Sequence, residues 1–480
     1  MASPPSAVAG STLGPFRGRT AIWTIGALAL FTSAAGLMEQ SPWIDELHTL
    51  ATARTGLWEG IVAHMRGNIP PGAAALEWLF TLGGRSLLGG RLLSAFAFSM
   101  AAVAFRASAT RLLSARGALV ASLAFATNPL LVWHAQDARP YALLVLFSTL
   151  SFLALLRTLA GEPRQAAWLL AWAVLGFSTH IYFGCFFAAM ILHSLWHLRE
   201  PAGRRVFTAL AVACAPAAAT VVVLAVMSHG RAAGFQKPVD LFALGYAGLV
   251  FGVGYSFGAT SEELHSGRAV DAMRPYLPAA AVILIGFWGV VALGALLLRS
   301  ERPARFYEWL GYLLLPLLLP FGVAIAMKSI TFNVRYALPA LPACFLLIGV
   351  VAERSTRAAL ITALPLAVQL WGLGAYHFDR RHWKEDFIAL AAYLASHSTP
   401  ADHIYECPTP TLAEILTPER RIGELTPGSL RDPVGATGAH AVYVFNRPWV
   451  CDPDGALRRA LRSDATVTSA DLHGFEVFRR

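Results

Sequence analysis

The chain has 480 residues, of which 56% are hydrophobic and only 14% are charged. Soluble domains carry about 25% charged residues, so this composition excludes an ordinary soluble domain and predicts a membrane protein. The formal net charge of +9 does not call for a nucleic-acid partner, because an excess of Lys and Arg in the cytoplasmic loops of a membrane protein explains it.

Apolar runs long enough to cross a membrane recur through the first 376 residues. A span needs about 20 mostly apolar residues. Eleven runs meet this description, near residues 20–38, 88–105, 117–134, 140–157, 166–183, 184–198, 206–227, 277–298, 309–327, 335–352 and 357–376. A further run at 241–258 is glycine-rich and weaker. The sequence therefore predicts a polytopic α-helical membrane protein with about 11 transmembrane helices.

The arginines orient these spans. With residues 1–19 as a cytoplasmic N-terminal tail and every run crossing except 241–258, each loop placed inside is basic, as the positive-inside bias requires. These loops contain Arg106, Arg111 and Arg116; Arg157 and Arg164; Arg199, Arg204 and Arg205; Arg299, Arg302 and Arg305; and Arg354 and Arg357. A crossing by 241–258 would move the later arginines outside, so this run is predicted to be an interfacial or re-entrant segment.

The last hundred residues are polar and lie outside in this topology. Helical periodicity covers 383–394, and strand-like runs follow at 403–407, 441–446 and 474–478. We therefore predict a transmembrane domain at 20–376, with its first periplasmic loop at 39–87, and a small C-terminal α/β periplasmic domain at 377–480.

Cysteine usage bears on the compartment. Cys407 and Cys451 both fall in the predicted periplasmic domain. An oxidising compartment would allow them to form a disulfide if their strands are neighbours. The remaining three cysteines lie in apolar runs and are expected to be inert.

Acidic residues follow the first span directly. Asp45, Glu46 and His48 lie at the start of the first external loop. Carboxylates drawn toward the bilayer without a partner are costly, so they are candidates for catalytic or metal-binding residues. The alternative is a purely structural helix N-terminus, because Pro42 and acids in the first turn both favour a helix start.

Three further external segments contribute polar side chains. They contain His134, Asp137, Arg139 and Tyr141; His180 and Tyr182; and Lys328, Arg335 and Tyr336. Taken singly, these residues have structural explanations: a surface ion pair, a packed histidine, or cations that snorkel at span ends. Taken together, they supply carboxylates for proton transfer or metal binding and planar arginine donors for phosphate. This combination suits a site for an anionic lipid headgroup.

Motifs for nucleotide or zinc binding do not occur in the sequence. There is no Walker A loop, no GxGxxG after a predicted strand, and no HExxH or paired-cysteine zinc motif. A nucleotide-sugar donor is therefore unsupported, whereas an activated lipid donor needs none of these motifs.

Several short motifs occur in an order that resembles a known superfamily. They are Trp43-Ile44-Asp45-Glu46, Asn68-Ile69-Pro70-Pro71, Arg91-Leu92-Leu93-Ser94, Gln136-Asp137-Ala138-Arg139-Pro140-Tyr141, Thr179-His180-Ile181-Tyr182, Arg335-Tyr336-Ala337-Leu338-Pro339 and Trp383-Lys384-Glu385-Asp386-Phe387. Over most of its length the chain resembles the GT-C superfamily of integral-membrane glycosyltransferases. It looks closest to the bacterial protein-mannosyltransferase and aminoarabinose-transferase branch.

The resemblance implies a function and roles for individual residues. It implies transfer of a hexose or pentose from a polyprenyl-phosphate donor to a lipid, glycan or protein acceptor at the periplasmic face of the bacterial inner membrane. Asp45 would be the principal catalytic acid with Glu46 beside it, and Asp137 the acid of the second loop. Arg139 and Arg335 would contact the donor phosphate. The resemblance leaves the cofactor open, and a divalent metal ion held by Asp45 or Asp137 is the one candidate.

Two other functions stay open at this point. A transporter or flippase of a lipid-linked glycan would place its polar groups near the midplane on broken helices, often within repeats, whereas here they lie in external loops. A ligase that joins whole glycans would share most of these features and differ in its acceptor.

Overall fold

The computed structural model describes residues 15–228, 239–266, 268–327, 332–407, 421–426, 428–431 and 440–480. Its first ten helices are α1 Pro15–Ala34, α2 Ile44–Arg54, α3 Leu57–Arg66, α4 Pro71–Phe80, α5 Leu87–Leu112, α6 Ala115–Ala126, α7 Pro129–Ala135, α8 Tyr141–Leu159, α9 Gln165–Thr179 and α10 Phe183–Trp196. The next ten are α11 Pro201–Ser228, α12 Leu241–Val253, α13 Ser261–Ser266, α14 Ala269–Met273, α15 Leu277–Glu301, α16 Pro303–Ala326, α17 Leu341–Arg354, α18 Thr356–Ile361, α19 Ala363–Phe378 and α20 Phe387–His397.

The described residues of the C-terminal part form two more helices and five strands. They are α21 Pro448–Cys451, α22 Ala456–Ser463, β1 His403–Cys407, β2 Arg421–Glu424, β3 Ala441–Phe445, β4 Thr468–Leu472 and β5 Phe475–Arg479. Short 3-10 helices at Arg274–Tyr276, Val334–Ala340, Ser429–Arg431 and Arg380–His382 join neighbouring elements.

The predicted membrane class is confirmed. Seven helical stretches in the described residues are long and apolar enough to span: Leu87–Leu112, Tyr141–Leu159, Pro201–Ser228, Ala269–Glu301, Pro303–Ala326, Val334–Arg354 and Thr356–Phe378. The bent pair α6 and α7 counts as an eighth if it crosses as one. The shorter apolar helices α1, α9 and α10 correspond to the other predicted runs. Helix length alone does not fix the number of crossings, because α9 and α10 have 15 and 14 residues.

A break in the third predicted span positions the second external loop. Helices α6 and α7 meet at 51°. Pro129 begins α7 and has no N–H to continue the α6 ladder, while the side chain of Asn128 caps α7 by accepting from the Leu131 N–H at 3.1 Å. The other end of the Asn128 amide donates to the Phe251 carbonyl at 2.9 Å. The bend is therefore held both locally and by α12.

The loops predicted to lie inside contact one another. Arg111 binds Glu162 at 3.2 Å, and Arg116 donates to the Glu353 carbonyl at 3.0 Å. Arg354 also pairs with Glu301. These contacts place the basic loops at one end of the bundle. The loops that the sequence predicts to be outside, called the external loops, meet at the other end.

The C-terminal residues form the predicted α/β unit. Its sheet has the strand order β2-β1-β3-β5-β4, with β2, β1 and β3 parallel and β5 antiparallel to both of its neighbours. The three predicted strand runs correspond to β1, β3 and β5. Cys407, at the end of β1, is bonded to Cys451 with their Cα atoms 6.0 Å apart, so the predicted disulfide is confirmed.

Helix α2 belongs to the core of this C-terminal unit as well as to the first loop. Ile44 and Leu47 pack in one hydrophobic cluster with Phe387 of α20 and Val442 and Val444 of β3. Burial of two such side chains stabilises the contact by about 3 to 6 kcal/mol. The first loop is thereby held against the sheet, and the acids of α2 lie where the sheet unit meets the bundle.

Candidate functional site

Helix α2 presents the acids of the first loop. Its start is fixed by Glu46, which accepts a hydrogen bond from the Trp43 backbone N–H at 3.3 Å. This bond satisfies one of the free donors of a helix start. Asp45 and Glu46 therefore lie in the first turn, as the helix-start explanation predicted. Their surroundings nevertheless differ, because the Asp45 side chain is 25% exposed whereas that of Glu46 is fully buried.

Glu46 is held by a buried ion pair with Arg91 of α5. The arginine Nε and Nη2 donate to the two carboxylate oxygens at 2.8 Å each. The Ala138 N–H donates to Glu46 Oε1, also at 2.8 Å. A buried charge is tolerated when it is paired and hydrogen-bonded, and this one is. The geometry therefore gives Glu46 a positioning role, in place of the catalytic role expected beside Asp45, since its oxygens are already occupied.

Asp137 lies in a second buried charge cluster. Its carboxylate is 3.1 Å from His134 Nδ1 and accepts a hydrogen bond from Lys384 Nζ. Lys384 Nζ is also 3.8 Å from Glu46 Oε2. Burial opposes ionisation of the Asp137 carboxyl, but Lys384 and His134 outweigh burial and hold the pKa of Asp137 below its ordinary value. The cluster fastens the segment before α20 to the second external loop.

Removing Lys384 should therefore be costly. In a Lys384→Met variant the buried Asp137 loses its cation, and we expect a loss of about 3 to 5 kcal/mol in the free energy of unfolding. Chemical denaturation of the detergent-solubilised protein measures it. The matched control is Arg462→Met, which breaks the pair between a largely exposed arginine and Glu476. That variant should lose at most about 1 kcal/mol, and equal losses in the two variants would contradict the role of Lys384.

Asp45 faces two arginines of the external loops. Arg335 Nη1 donates to Asp45 Oδ2 at 3.0 Å. Arg139 Nη1 donates to Thr49 Oγ1, one turn further along α2, at 3.0 Å. Burial opposes ionisation of the Asp45 carboxyl, but the guanidinium groups of Arg139, Arg335 and Arg447 outweigh burial and lower the pKa of Asp45 below its ordinary value. Asp45 is thus an ionised, partly exposed carboxylate.

Aromatic rings surround Arg335. Its guanidinium carbon lies 5.0 Å from the ring centre of Tyr141, 5.5 Å from that of Trp43 and 5.7 Å from that of Tyr336. Cation–π contacts of this kind hold a cation in place without using its hydrogen-bond donors. Tyr336 in turn stacks on Tyr182, with ring centroids 4.0 Å apart. The third and fourth external segments therefore meet at the same site.

The cluster contains buried polar atoms that are not satisfied by any group in the described residues. Nε of Arg139, Nε of Arg335 and Nε2 of His134 are buried and have no hydrogen-bond partner among the described residues. Buried polar atoms without partners are uncommon and call for an explanation such as a ligand. Two cationic donors beside one carboxylate suit an anionic group with several acceptor oxygens, and phosphate fits this description.

The two remaining histidines predicted for the site lie at its edge. His48 is one turn from Asp45 on α2, and burial lowers the pKa of His48 although Asp45 acts in the opposite direction. His180, at the break between α9 and α10, lies 5.4 Å from the Tyr141 ring, and burial lowers the pKa of His180 to about 3. Both are therefore neutral at pH 7. Lys328, the last predicted cation, lies outside the described residues.

The predicted metal ligands do not form a metal site. Asp45 pairs with Arg335, and Asp137 pairs with Lys384, so each carboxylate already faces a cation. In the described part of the chain, no cluster of three His, Cys, Asp or Glu ligand atoms includes either acid. These residues do not fit a metal ion held by Asp45 and Asp137.

Sequence reasoning missed four residues of this region. Arg91 and Lys384 hold the two buried acids, and Tyr255 lies edge-on to the His134 ring with centroids 5.9 Å apart. Arg447 acts on Asp45 from the C-terminal unit, and it has the left-handed backbone conformation, with φ +65°, that non-glycine residues seldom adopt. Arg91 and Lys384 fall in motifs quoted for the resemblance, but nothing local identifies their partners.

The fold and the polar cluster define a class of protein: a multi-pass helical membrane protein whose external loops and C-terminal sheet unit meet around a buried set of ionic groups. The crystal structure of ArnT from Cupriavidus metallidurans bound to undecaprenyl phosphate shares this fold, with a TM-score of 0.57, 14% identity, and coverage of 96% of this chain and 98% of that chain. The structure of ArnT from the same organism in the apo state has a TM-score of 0.56 and 13% identity, and the match covers 97% of this chain and 98% of that chain.

ArnT is an aminoarabinose transferase of the GT-C family. The resemblance predicted from the sequence is therefore confirmed for the fold, over nearly the whole length of both chains. Neither a protein-family model nor a curated protein sequence matches this chain.

Proposed function

We propose that this protein is a glycosyltransferase that moves a sugar from a polyprenyl-phosphate carrier to an acceptor. One observation carries the proposal: an ionised, partly exposed carboxylate, Asp45, lies between two arginines with unused donors, Arg139 and Arg335. The arginines suit the phosphate of the donor, and the carboxylate suits the proton of the acceptor. The ArnT structure that shares the fold has undecaprenyl phosphate bound, which supports a polyprenyl phosphate as the ligand.

The reaction is a displacement at the anomeric carbon. The acceptor hydroxyl or amine attacks this carbon, the bond to the phosphate oxygen breaks, and the electron pair leaves with the polyprenyl phosphate. Asp45 takes the acceptor proton, while Arg139 and Arg335 stabilise the charge that develops on the phosphate. Aromatic rings of Tyr141, Tyr182 and Tyr336 line this site and suit the apolar face of a sugar.

Binding of the sugar donor changes the strength of Asp45 as a base in this arrangement. Arg335 is the direct partner of Asp45. A phosphate that takes part of the Arg335 charge weakens this pair and raises the proton affinity of Asp45. Asp45 then becomes a stronger base only when a donor is bound, which disfavours proton uptake in the empty enzyme.

The test is a panel of polyprenyl-phosphate sugars. Purified protein is incubated with each donor together with candidate lipid, glycan and peptide acceptors, and release of free polyprenyl phosphate is measured. We expect release from at least one donor, dependent on an acceptor. Movement of intact lipid-linked sugar between leaflets of proteoliposomes, without cleavage of any donor, would support a flippase and contradict transfer.

We also propose that the site and the C-terminal unit face the periplasm or cell exterior. The disulfide Cys407–Cys451 suits an oxidising compartment, and the basic loops at the other end of the bundle suit the cytoplasm.

Reporter fusions test this orientation. Alkaline phosphatase fused after Tyr376 should be active, because that enzyme needs an oxidising compartment. The same reporter fused after Arg354, at the basic end, should be inactive. The reverse pattern would overturn the orientation.

A further inference from the structure

A group of possible metal ligands lies far from the proposed site. His193 is in the last turn of α10, His197 follows that helix directly, and Glu308 is near the start of α16. Nε2 of His197 is 3.2 Å from one oxygen of Glu308, and Nε2 of His193 is 3.6 Å from the other. In the described part of the chain this is the one group of three such ligands whose atoms all lie within 4.8 Å of one another.

The second nitrogen of each imidazole is already occupied. Nδ1 of His193 lies 3.1 Å from the Tyr312 hydroxyl, and Nδ1 of His197 lies 3.4 Å from a Glu200 oxygen. A carboxylate only accepts, so the tautomer of His197 whose Nδ1 donates to Glu200 turns its Nε2 lone pair toward Glu308. Two acceptors at that distance repel unless a proton or a metal ion lies between them. Metal-binding histidines use their second nitrogen in this way.

We propose that His193, His197 and Glu308 bind one divalent transition-metal ion of the zinc class. Two imidazoles and a carboxylate suit zinc, whereas calcium and magnesium prefer oxygen ligands alone. Metal–ligand distances of about 2.0 to 2.2 Å in a tetrahedron separate the ligand atoms by about 3.3 to 3.6 Å. The two histidine nitrogens lie 3.2 and 3.6 Å from the two different oxygens of Glu308, which is close to this spacing. Water would take the fourth position, and the side chain of His197, 28% exposed, leaves an entry path.

The ion would join two helices that also meet at the proposed active site. Helix α10 begins next to Tyr182, and α16 precedes the segment that carries Tyr336. These two tyrosines stack at the external end, while the proposed ion joins the same two stretches of chain at the opposite, basic end. The metal site does not depend on the glycosyltransferase proposal, because it uses none of the residues assigned to that reaction.

Metal titration tests the proposal. Tag-free protein in detergent is treated with a chelator, then titrated with Co²⁺ and Zn²⁺, and bound metal is measured by absorption spectra and elemental analysis. We expect Glu308→Gln and His197→Gln each to bind one equivalent less than the parent protein. Glu200→Gln should retain that equivalent with an affinity about 10 to 100-fold lower, because Glu200 only orients His197.

Glu162→Gln is the matched control, since Glu162 lies at the same end of the bundle and pairs with arginines. It should bind as much metal as the parent protein. The thermal unfolding midpoint should rise with free Zn²⁺ in the parent and in Glu162→Gln, and not in Glu308→Gln.

Equal metal stoichiometry and affinity in Glu308→Gln and in the parent protein would overturn the proposal. So would a parent protein that binds no ion at micromolar metal, and the group would then be an imidazolium–carboxylate pair. If Glu308→Gln does not fold, the same comparison of bound metal is made with His197→Gln, and parental stoichiometry and affinity in that variant would overturn the proposal.

Discussion

An Asp45→Asn variant should bind the donor and fail to transfer its sugar. The substitution keeps the shape of the side chain and removes the charge that accepts the proton, so turnover should fall by about two to four orders of magnitude. Donor affinity should not fall, because Arg335 loses its carboxylate partner and its donors become available to the phosphate. Steady-state turnover and equilibrium donor binding, measured on the same preparation, separate the two effects.

The competing explanation for Asp45 is a structural one. Its position in the first turn of α2 means that loss of its charge weakens the interaction with the helix dipole by about 0.3 to 1 kcal/mol. Glu59→Gln is the matched control, because Glu59 is an exposed acid in the first turn of the neighbouring helix α3. Glu59→Gln should lose at most this dipole contribution and keep its activity, whereas Asp45→Asn also loses the pair with Arg335 and should lose activity. An Asp45→Asn enzyme with parental turnover would contradict the catalytic assignment.

An Arg335→Gln variant should lose both donor affinity and turnover. It removes a cation whose contact with the phosphate exists before the reaction and strengthens as negative charge develops on the leaving group. Loss of one such donor typically lowers kcat by about 10² to 10³-fold. Measurements of kcat, KM and donor affinity should all change, in contrast to Asp45→Asn. Arg380→Gln is the control, because Arg380 is an exposed arginine at the same end of the bundle.

The same variant should change the pH dependence. Arg335 is one of the cations that lower the pKa of Asp45, so its loss raises the pKa of that carboxyl. Asp45 accepts a proton only when ionised, so the acidic limb of kcat/KM should move to higher pH in Arg335→Gln. An unchanged acidic limb would show that Asp45 and Arg335 do not interact in the working enzyme.

Much of the fold could be predicted from the sequence, because a membrane span is a long and repetitive signal. Each predicted run corresponds to a helix, a bent pair or consecutive helices. The strands β2 and β4 were missed because they are largely exposed, so they lack a buried apolar pattern. The packing of Ile44 on Phe387 could not be predicted either, since residues so far apart in the chain leave no local periodicity.

For the candidate site, the sequence predicted most of the residues that surround Asp45 but not the residues they pair with. Adjacent acids such as Asp45 and Glu46 look alike in sequence, and only the tertiary structure shows that one meets Arg91 in the interior. The position of Arg91 inside an apolar run was a usable signal, because a charge there needs a partner. For the proposed metal site, the spacing of His193 and His197 was a second usable signal, since residues four apart share one face of a helix.

The salt bridge between Asp137 and Lys384 has a consequence for biogenesis. The two residues are separated by 247 positions, so Asp137 leaves the ribosome long before its cation exists. At about 5 to 20 residues per second this interval is about 10 to 50 seconds. During that time the second external loop cannot adopt its final buried arrangement at low cost, because its acid has no lysine to pair with. A nascent chain that terminates before residue 384 would keep this loop open and exposed to quality-control proteases, so completion of the C-terminal unit is the step that closes the assembly.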